Sequence, residues 1–147
     1  MSKVQKFYSV NSLILQKFVS HLTKSGKKFK AEKILKNVLI KIALKGFAPI
    51  KVLIFAINNV KPLVEVRNFR AKNRKSFQVP FPLKFMKQIS LSLKIILKSC
   101  VLKKNFEDSL VDELVKSSQG QSQSVKITKN IHKLAYQNRI FIRYRWF

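Results

Sequence analysis

The stretch NNVKPLVEVRNFRAKNRKSFQVPFPL, residues 58–83, decides how this chain is organised. Apolar and polar residues alternate in VEVRNFR and again in SFQVPF, on either side of a polar tip, and Pro62 precedes the first limb. Alternation on two limbs that flank a polar tip predicts a β-hairpin, here over 63–81. Limbs of about six or seven residues, at roughly 3.3 Å per residue, give an arm about 20 Å long.

The hairpin is strongly basic. Its one acid, Glu65, is set against five basic residues, Arg67, Arg70, Lys72, Arg74 and Lys75. The whole chain has 31 basic and six acidic residues and a formal charge of +25, far beyond the magnitude of about 2 to 8 of an ordinary small domain. Such self-repulsion is relieved by a polyanion, so nucleic acid is the first partner to consider. The alternative is a generic basic surface without a dedicated ligand.

The arginines occur in two clusters of three. Arg67, Arg70 and Arg74 are on the hairpin, and Arg139, Arg143 and Arg145 are in the C-terminal RIFIRYRWF. Because a guanidinium can bind phosphate in a bidentate way and can stack on rings, we expect these clusters to make the geometrically demanding contacts, unless six residues have clustered by chance. Within the C-terminal run we assign Phe141 to packing, and the arginines with Tyr144 or Trp146 to RNA.

Helical spacing of apolar residues dominates the remainder of the chain. It predicts a mainly α fold, a single-domain bundle of about six helices with one protruding β-hairpin. The predicted segments are a basic arm at 1–11, helices one to three in 12–60, the hairpin at 63–81, helices four and five in 83–116, a polar linker at 117–127, and a C-terminal helix with a basic and aromatic tail at 128–147. Thr128 is the predicted cap of the last helix.

Two charged segments lie outside the hairpin and tail. The turn SGKKFK, with the lysine that precedes it, places four lysines, Lys24, Lys27, Lys28 and Lys30, around a glycine. The fifth predicted helix holds four of the six acids, Glu107, Asp108, Asp112 and Glu113. That acidic helix is the surface least suited to RNA, and it is expected either to face a basic protein neighbour or to be solvated.

Other classes of function find no support in the sequence. Cys100 is the only cysteine and is expected to pack in the core, and the two histidines have no ligand partners at metal spacing, so we predict neither a metal nor a cofactor. There is no P-loop, GxGxxG or nucleophile elbow, and we predict no catalytic residues and no enzyme activity. No apolar run approaches the roughly 20 residues that span a bilayer, so membrane insertion is not expected.

Three motifs in order resemble the small-subunit ribosomal protein seven family: SGKKFKAEKI, then VKPLVEVRNFR with SFQVP, then NIHKLAYQNRIFIRYRW. The resemblance covers about residues 13–146. It implies a helical bundle with a hairpin that binds the 3′ domain of small-subunit rRNA and organises assembly of the subunit head. The hairpin would lie near the mRNA exit path and the exit-site tRNA, with ribosomal proteins nine, eleven and thirteen as neighbours.

The resemblance also implies functional residues. Gly26, Lys27, Lys28 and Lys30 match the rRNA-contacting turn, Arg67 and Arg70 match the outgoing hairpin limb, and Arg139, Tyr144, Arg145 and Trp146 match the C-terminal motif. The family's pair of tip glycines is missing, and Asn73 is expected to carry the turn instead. With positions chosen by charge, the predicted RNA-binding set is Lys24, Lys27, Lys28, Lys30, Arg67, Arg70, Lys72, Arg74, Lys75, Arg139, Arg143, Tyr144, Arg145 and Trp146.

Abundant Lys, Asn, Ile and Phe indicate a genome rich in A and T, which is typical of organelles. We therefore expect a mitochondrial ribosomal protein, with a plastid origin as the nearest variant. Two other classes stay open at this point, a basic amphipathic protein on anionic membranes and a DNA-compacting protein.

Overall fold

The computed structural model describes residues 3–70, 76–100 and 105–146, and it describes their side chains except at 3–11, 70 and 146. The elements in chain order are α1 (Lys3–Leu22), α2 (Lys28–Leu44), α3 (Pro49–Val60), β1 (Val64–Arg70), β2 (Ser76–Pro82), α4 (Phe85–Cys100), α5 (Phe106–Ser118), α6 (Gln123–Gln137) and a C-terminal 3-10 helix (Arg139–Trp146). The predicted fold class, mainly α with one hairpin, is confirmed.

Helix α5 lies at the centre of the bundle, where it contacts α2, α3, α4 and α6. Its residues Leu110 and Leu114 are fully buried, together with Phe18 of α1, Ile42 of α2 and Leu93 of α4. Burial of each such side chain stabilises the fold by about 1.5 to 3 kcal/mol. Cys100, at the end of α4, lies in the same core, as predicted.

The hairpin is antiparallel, with Val64 opposite Pro82, Arg67 opposite Val79 and Arg70 opposite Ser76. Strand β1 contacts α6, and β2 contacts the 3-10 helix. At the base of the hairpin, the N–H of Leu63 donates to Nε2 of His132 at 3.1 Å, so this histidine anchors the hairpin to α6. The tip residues 71–75, and with them the predicted turn at Asn73, lie outside the described residues.

The predicted N-terminal arm is wrong from Lys3 onward, because α1 begins there and not at residue 12. Asn11 and Ser12 are residues that often cap helices, but a cap residue does not stop a helix by itself. No glycine or proline interrupts the sequence before Gly26. The helix therefore continues through the segment that the sequence analysis assigned to an arm.

The predicted linker 117–127 is also wrong in its bounds. Helix α5 extends to Ser118 and α6 already starts at Gln123. Ser122 is the N-cap of α6, and its Oγ accepts from the N–H of Val125 at 3.2 Å. Thr128, the predicted cap, lies inside the helix, where its Oγ1 donates to the carbonyl of Val60 at 2.8 Å.

Candidate nucleic-acid interface

All six acidic residues have a partner within the chain. Five of them form ion pairs: Glu32 with Lys28, Glu65 with Arg67 and Lys87, Glu107 and Asp108 with Lys41, and Asp112 with Lys45. The sixth, Glu113, is buried and accepts hydrogen bonds from Ser124. Since the chain has 31 basic residues, most of its positive charge cannot be balanced by its own acids.

The acids on the outer side of α5 face lysines of α2. Nζ of Lys41 lies 3.3 Å from Glu107 and 2.7 Å from Asp108, and Nζ of Lys45 lies 2.7 Å from Asp112. The hydrogen bond between Lys41 and Asp108 raises the pKa of the ammonium and lowers the pKa of the carboxyl. These acids therefore pair with lysines within the bundle, an arrangement that was not predicted, while Asp108 and Asp112 remain exposed to solvent.

An aromatic cluster joins the hairpin to the C-terminal segment. The ring of Phe77 on β2 lies 5.2 Å from that of Phe141 and 5.7 Å from that of Tyr144, and the Tyr144 ring is nearly parallel to it, at 7°. Phe141 thus packs as predicted. Tyr144 retains 41% of its exposure although it stacks on Phe77, so part of it remains available to a ligand.

Three of the predicted arginines are oriented by contacts within the protein. Nε of Arg145 donates to the carbonyl of Pro80 at 2.9 Å, which ties the 3-10 helix to β2. The guanidinium of Arg67 lies 5.0 Å from the centre of the Phe81 ring, and that of Arg139 lies 4.8 Å from the centre of the Tyr136 ring. A ring or a carbonyl holds a guanidinium in place without neutralising it, so Arg139 and Arg145 are oriented by neutral groups, whereas Arg67 also forms an ion pair with Glu65.

Glu65 is an acid that Arg67 of the hairpin shares with Lys87 of α4. Its carboxylate lies 3.3 Å from Nη2 of Arg67 and 3.1 Å from Nζ of Lys87. Partial burial alone would raise the pKa of Glu65, but the hydrogen bonds from Lys87 and Arg67 outweigh it and lower the pKa. Glu65 therefore remains ionised and helps to orient both basic side chains.

The structure brings the four predicted lysines of the α1–α2 connection together at one turn. Ser25 and Gly26 have positive φ angles of 52° and 74°, and the N–H of Lys28 donates to the carbonyl of Gly26 at 2.8 Å. Glycine adopts a positive φ without the strain that a Cβ adds, which explains why Gly26 is placed here. All four lysines, Lys24, Lys27, Lys28 and Lys30, are exposed.

The remaining predicted RNA-binding residues are either exposed or outside the described residues. Arg143 is exposed on the 3-10 helix. The side chains of Arg70 and Trp146 lie outside the described residues, as do Lys72, Arg74 and Lys75 altogether. The structure thus unites the lysines at one turn, and the hairpin base with the C-terminal segment through β2.

Two exposed aromatic residues were missed by the sequence analysis. Phe29 is 82% exposed between Lys28 and Lys30, and Phe85 is 58% exposed with Nζ of Lys61 lying 5.3 Å from its ring centre. An exposed phenylalanine beside lysines combines a stacking surface with attraction for phosphate. The signal was present in the string KKFK, where an aromatic residue stands among lysines at the start of a helix and outside its apolar stripe.

Comparison with known proteins identifies the family of the chain that carries this surface. The sequence model of the family described as Ribosomal protein S7p/S5e matches residues 2–139. The chain belongs to this family. Among its relatives, the small ribosomal subunit protein uS7 of Bordetella petrii is 33% identical over 144 residues, 96% of this chain and 90% of the relative. The uS7 protein of Borrelia duttonii is 34% identical over 148 residues, 98% of this chain and 94% of the relative.

Membership of the S7p/S5e family confirms the family resemblance and the prediction that the chain is not an enzyme, because this is a family of structural ribosomal proteins. The relatives just named are bacterial. In the part of the chain that the structure describes, no helix is both long and apolar enough to cross a bilayer. Within that same part, no group of three or more His, Cys, Asp or Glu residues is placed to hold a metal ion.

Proposed function

We propose that this member of the S7p/S5e family is a structural constituent of the small ribosomal subunit that binds the 3′ domain of the small-subunit rRNA and organises assembly of the head. The observation that carries the proposal is the pairing of every carboxylate inside the chain, in a family of ribosomal proteins. A formal charge of +25 is then left for an external polyanion. Release of counterions from that polyanion drives binding.

The mechanism is positioning and neutralisation. Arg67, Arg139 and Arg145 are oriented by rings or a carbonyl before any ligand arrives, so little side-chain freedom is lost when they bind phosphate. The lysines of the α1–α2 turn are exposed and supply attraction that depends less on geometry. Together they would hold two rRNA segments in a fixed relation to each other.

The hairpin is proposed to lie near the mRNA exit path and the exit-site tRNA, with ribosomal proteins nine, eleven and thirteen as neighbours of the chain. Exposed apolar side chains at the connection between α2 and α3 support contact with protein as well as RNA. Leu44, Phe47 and Ile50 are 82%, 42% and 47% exposed. The aliphatic side chains of Leu44 and Ile50 gain nothing from phosphate, so this part of the surface suits a protein neighbour.

The proposed location is the mitochondrial ribosome, with the plastid ribosome as the alternative. Support comes from composition, since Lys, Phe, Ile and Asn are abundant and arginine is confined to six positions. A genome biased toward A and T produces this pattern. Immunodetection in purified mitochondria and plastids of the source cell distinguishes the two.

Sedimentation of an organelle lysate at moderate and then high salt tests the ribosomal role, with the protein followed by mass spectrometry. Comigration with small-subunit rRNA that survives high salt is the expected result. Release to the top of the gradient would reject an integral ribosomal role. Flotation with anionic vesicles despite excess rRNA, or preference for duplex DNA over folded RNA, would then identify the membrane or DNA alternative.

A further inference from the structure

A groove of about 490 Å³ lies beside the basic turn, where α1, α2, α4 and α5 meet. Apolar side chains from all four helices line it, including Ile34, Leu97 and Phe106, and Lys27 and Lys30 line it as well. The lysines are exposed whereas Leu97 is buried. The apolar residues therefore form the deeper part of the groove, and the lysines form its outer edge.

The dimensions and chemistry of the groove limit what can occupy it. Its volume lies in the range of roughly 300 to 1,000 Å³ typical of small-ligand sites. A bare phosphate would leave the apolar part unused, and an acyl chain would leave the lysines without partners. A nucleotide satisfies both parts, because its base is flat and apolar on its faces while its phosphate is anionic.

His21 also lines the groove and adds hydrogen-bonding capacity. Partial burial lowers the pKa of its imidazole, and the positive charges of Lys94 and Lys17 lower it further. The ring is therefore neutral near pH 7, with one nitrogen that donates and one that accepts. A neutral imidazole can form hydrogen bonds with the edge of a base. A protonated imidazole would instead act as another positive charge beside the lysines.

We propose that this groove holds a single unpaired nucleotide of the rRNA, with its base against Phe106 and Leu97, its edge at His21, and its phosphate at Lys27 and Lys30. The inference rests on the proposed rRNA binding and assigns one nucleotide contact to one site. It also explains why a basic turn lies next to apolar surface that the core leaves open.

The test uses the full-length chain and a transcript of the 3′ domain of the small-subunit rRNA from the same genome. His21→Ala removes the imidazole without removing a charge, so the affinity should fall about three- to tenfold with an unchanged salt slope. Lys27→Ala with Lys30→Ala should flatten the salt slope by about one, because both lysines contact the same phosphate. Ser20→Ala, an exposed neighbour that does not line the groove, is the matched control and should change neither quantity.

Base-specific chemical probing supplies a readout that folding alone does not affect. One nucleotide protected by the wild-type chain should become reactive with His21→Ala, while the rest of the footprint is retained. Phe106→Leu preserves bulk but removes the flat ring, and it should expose the same nucleotide. Circular dichroism checks that both variants are folded.

The possible failures are distinguishable. If the wild-type chain binds the transcript but both variants retain its affinity and its full footprint, the groove inference is wrong and rRNA binding stands. If the wild-type chain does not bind the transcript, the proposed function fails and the groove inference fails with it.

Discussion

Two surfaces of the molecule differ in what their basic side chains contact. One is shared by α2 and α5, and the other is formed by the hairpin and the 3-10 helix. On the first, Lys41 and Lys45 are paired with the carboxylates of α5 at distances down to 2.7 Å. On the second, Arg139 stacks on a ring and Arg145 donates to a backbone carbonyl. Pairing with an acid consumes charge, whereas stacking and carbonyl contacts only orient it. The charge of the first surface is thus paired within the fold, whereas Arg139 and Arg145 on the second are oriented by neutral groups. Arg67, which also pairs with Glu65, is an exception on the second surface.

The largest effect should come from removing the hairpin arginines. Replacing Arg67, Arg70 and Arg74 with Ala removes up to three phosphate contacts, at roughly 1 kcal/mol each. The affinity for the 3′-domain transcript should fall about a hundredfold, and the salt slope should flatten by up to about three. Titration of labelled transcript between low and moderate salt measures both quantities.

The control is Lys41→Ala with Lys45→Ala, which also removes positive charge but takes it from two residues that both have carboxylate partners. Of the three arginines, Arg67 also has such a partner, Glu65, which it shares with Lys87. Its salt slope should remain close to that of the wild type. If the lysine pair flattened the slope as much as the arginines do, the contrast between the two surfaces would be wrong. An unchanged slope in the arginine variant would indicate that the hairpin faces protein or mRNA instead of rRNA.

The next effect concerns stability and the inner side of α5. Glu113 is 5% exposed and accepts hydrogen bonds from the N–H and Oγ of Ser124, at the start of α6. A carboxylate at a helix N-terminus is favourable, and its removal leaves a buried donor without a partner. Glu113→Ala should therefore lower the free energy of unfolding by about 2 to 3 kcal/mol, measured by urea titration.

Asp112→Ala is the matched variant, one residue earlier on the exposed side of α5. Its ion pair with Lys45 is half-exposed on both sides, and such pairs contribute less than about 1 kcal/mol. Equal losses for the two variants would show that the buried network around Ser124 does not stabilise the bundle as the geometry implies.

A smaller and local effect is expected at the junction of β2 and the 3-10 helix. Arg145→Lys keeps the charge but loses the Nε donor that reaches Pro80. Local opening of residues 139–146 should become about 1 kcal/mol easier, so hydrogen exchange there should be roughly fivefold faster. The exposed Arg143→Lys should leave exchange unchanged, and similar rates in both variants would contradict an anchoring role for Arg145.

The sequence predicted the hairpin to within one residue at each end, because its alternation and Pro62 are local signals. Pro49 lies in the first turn of α3, where proline is favoured, and is a local signal of the same kind. The partners of individual side chains were harder to predict from the sequence. The string SSQGQS looked like a flexible linker, yet Ser117, Ser122 and a neighbouring Ser124 are buried and hydrogen-bonded. Composition cannot reveal this, because the same serine suits solvent or a helix cap.

In the candidate interface, too, local features could be predicted from the sequence, whereas long-range contacts could not. Clustered arginines and the lysine turn were evident from charge and spacing. That the acids of α5 would meet lysines of α2 depends on packing between residues 67 positions apart, as in the pairs Lys41–Asp108 and Lys45–Asp112. The groove beside His21 likewise needs four helices to meet, and no local pattern encodes it. Long-range packing decided which charges remain available for a ligand.

The smallest expected effect is the pH dependence of one surface pair. Lys41, chiefly through its hydrogen bond, holds the pKa of Asp108 below the usual value of 3.8. A carboxyl with a lowered folded pKa stabilises the fold above its unfolded pKa, and this contribution is lost as the pH falls through the folded pKa. The pKa of Lys41 is raised above 10.5, so its contribution is lost only when the pH rises through that higher value.

Asp108→Asn should therefore unfold at slightly lower urea concentration than the wild type at pH 7. The difference should shrink as the pH drops below about 4 and should vanish once the wild-type carboxyl is protonated. Urea titrations at pH 7, 4 and 2.5 measure this. A difference that persists at the lowest pH would mean that Asp108 acts through packing and not through its charge. The ion pair between Lys41 and Asp108 would then not stabilise the fold. The contrast between the surface shared by α2 and α5 and the surface of the hairpin and the 3-10 helix would fail at this position.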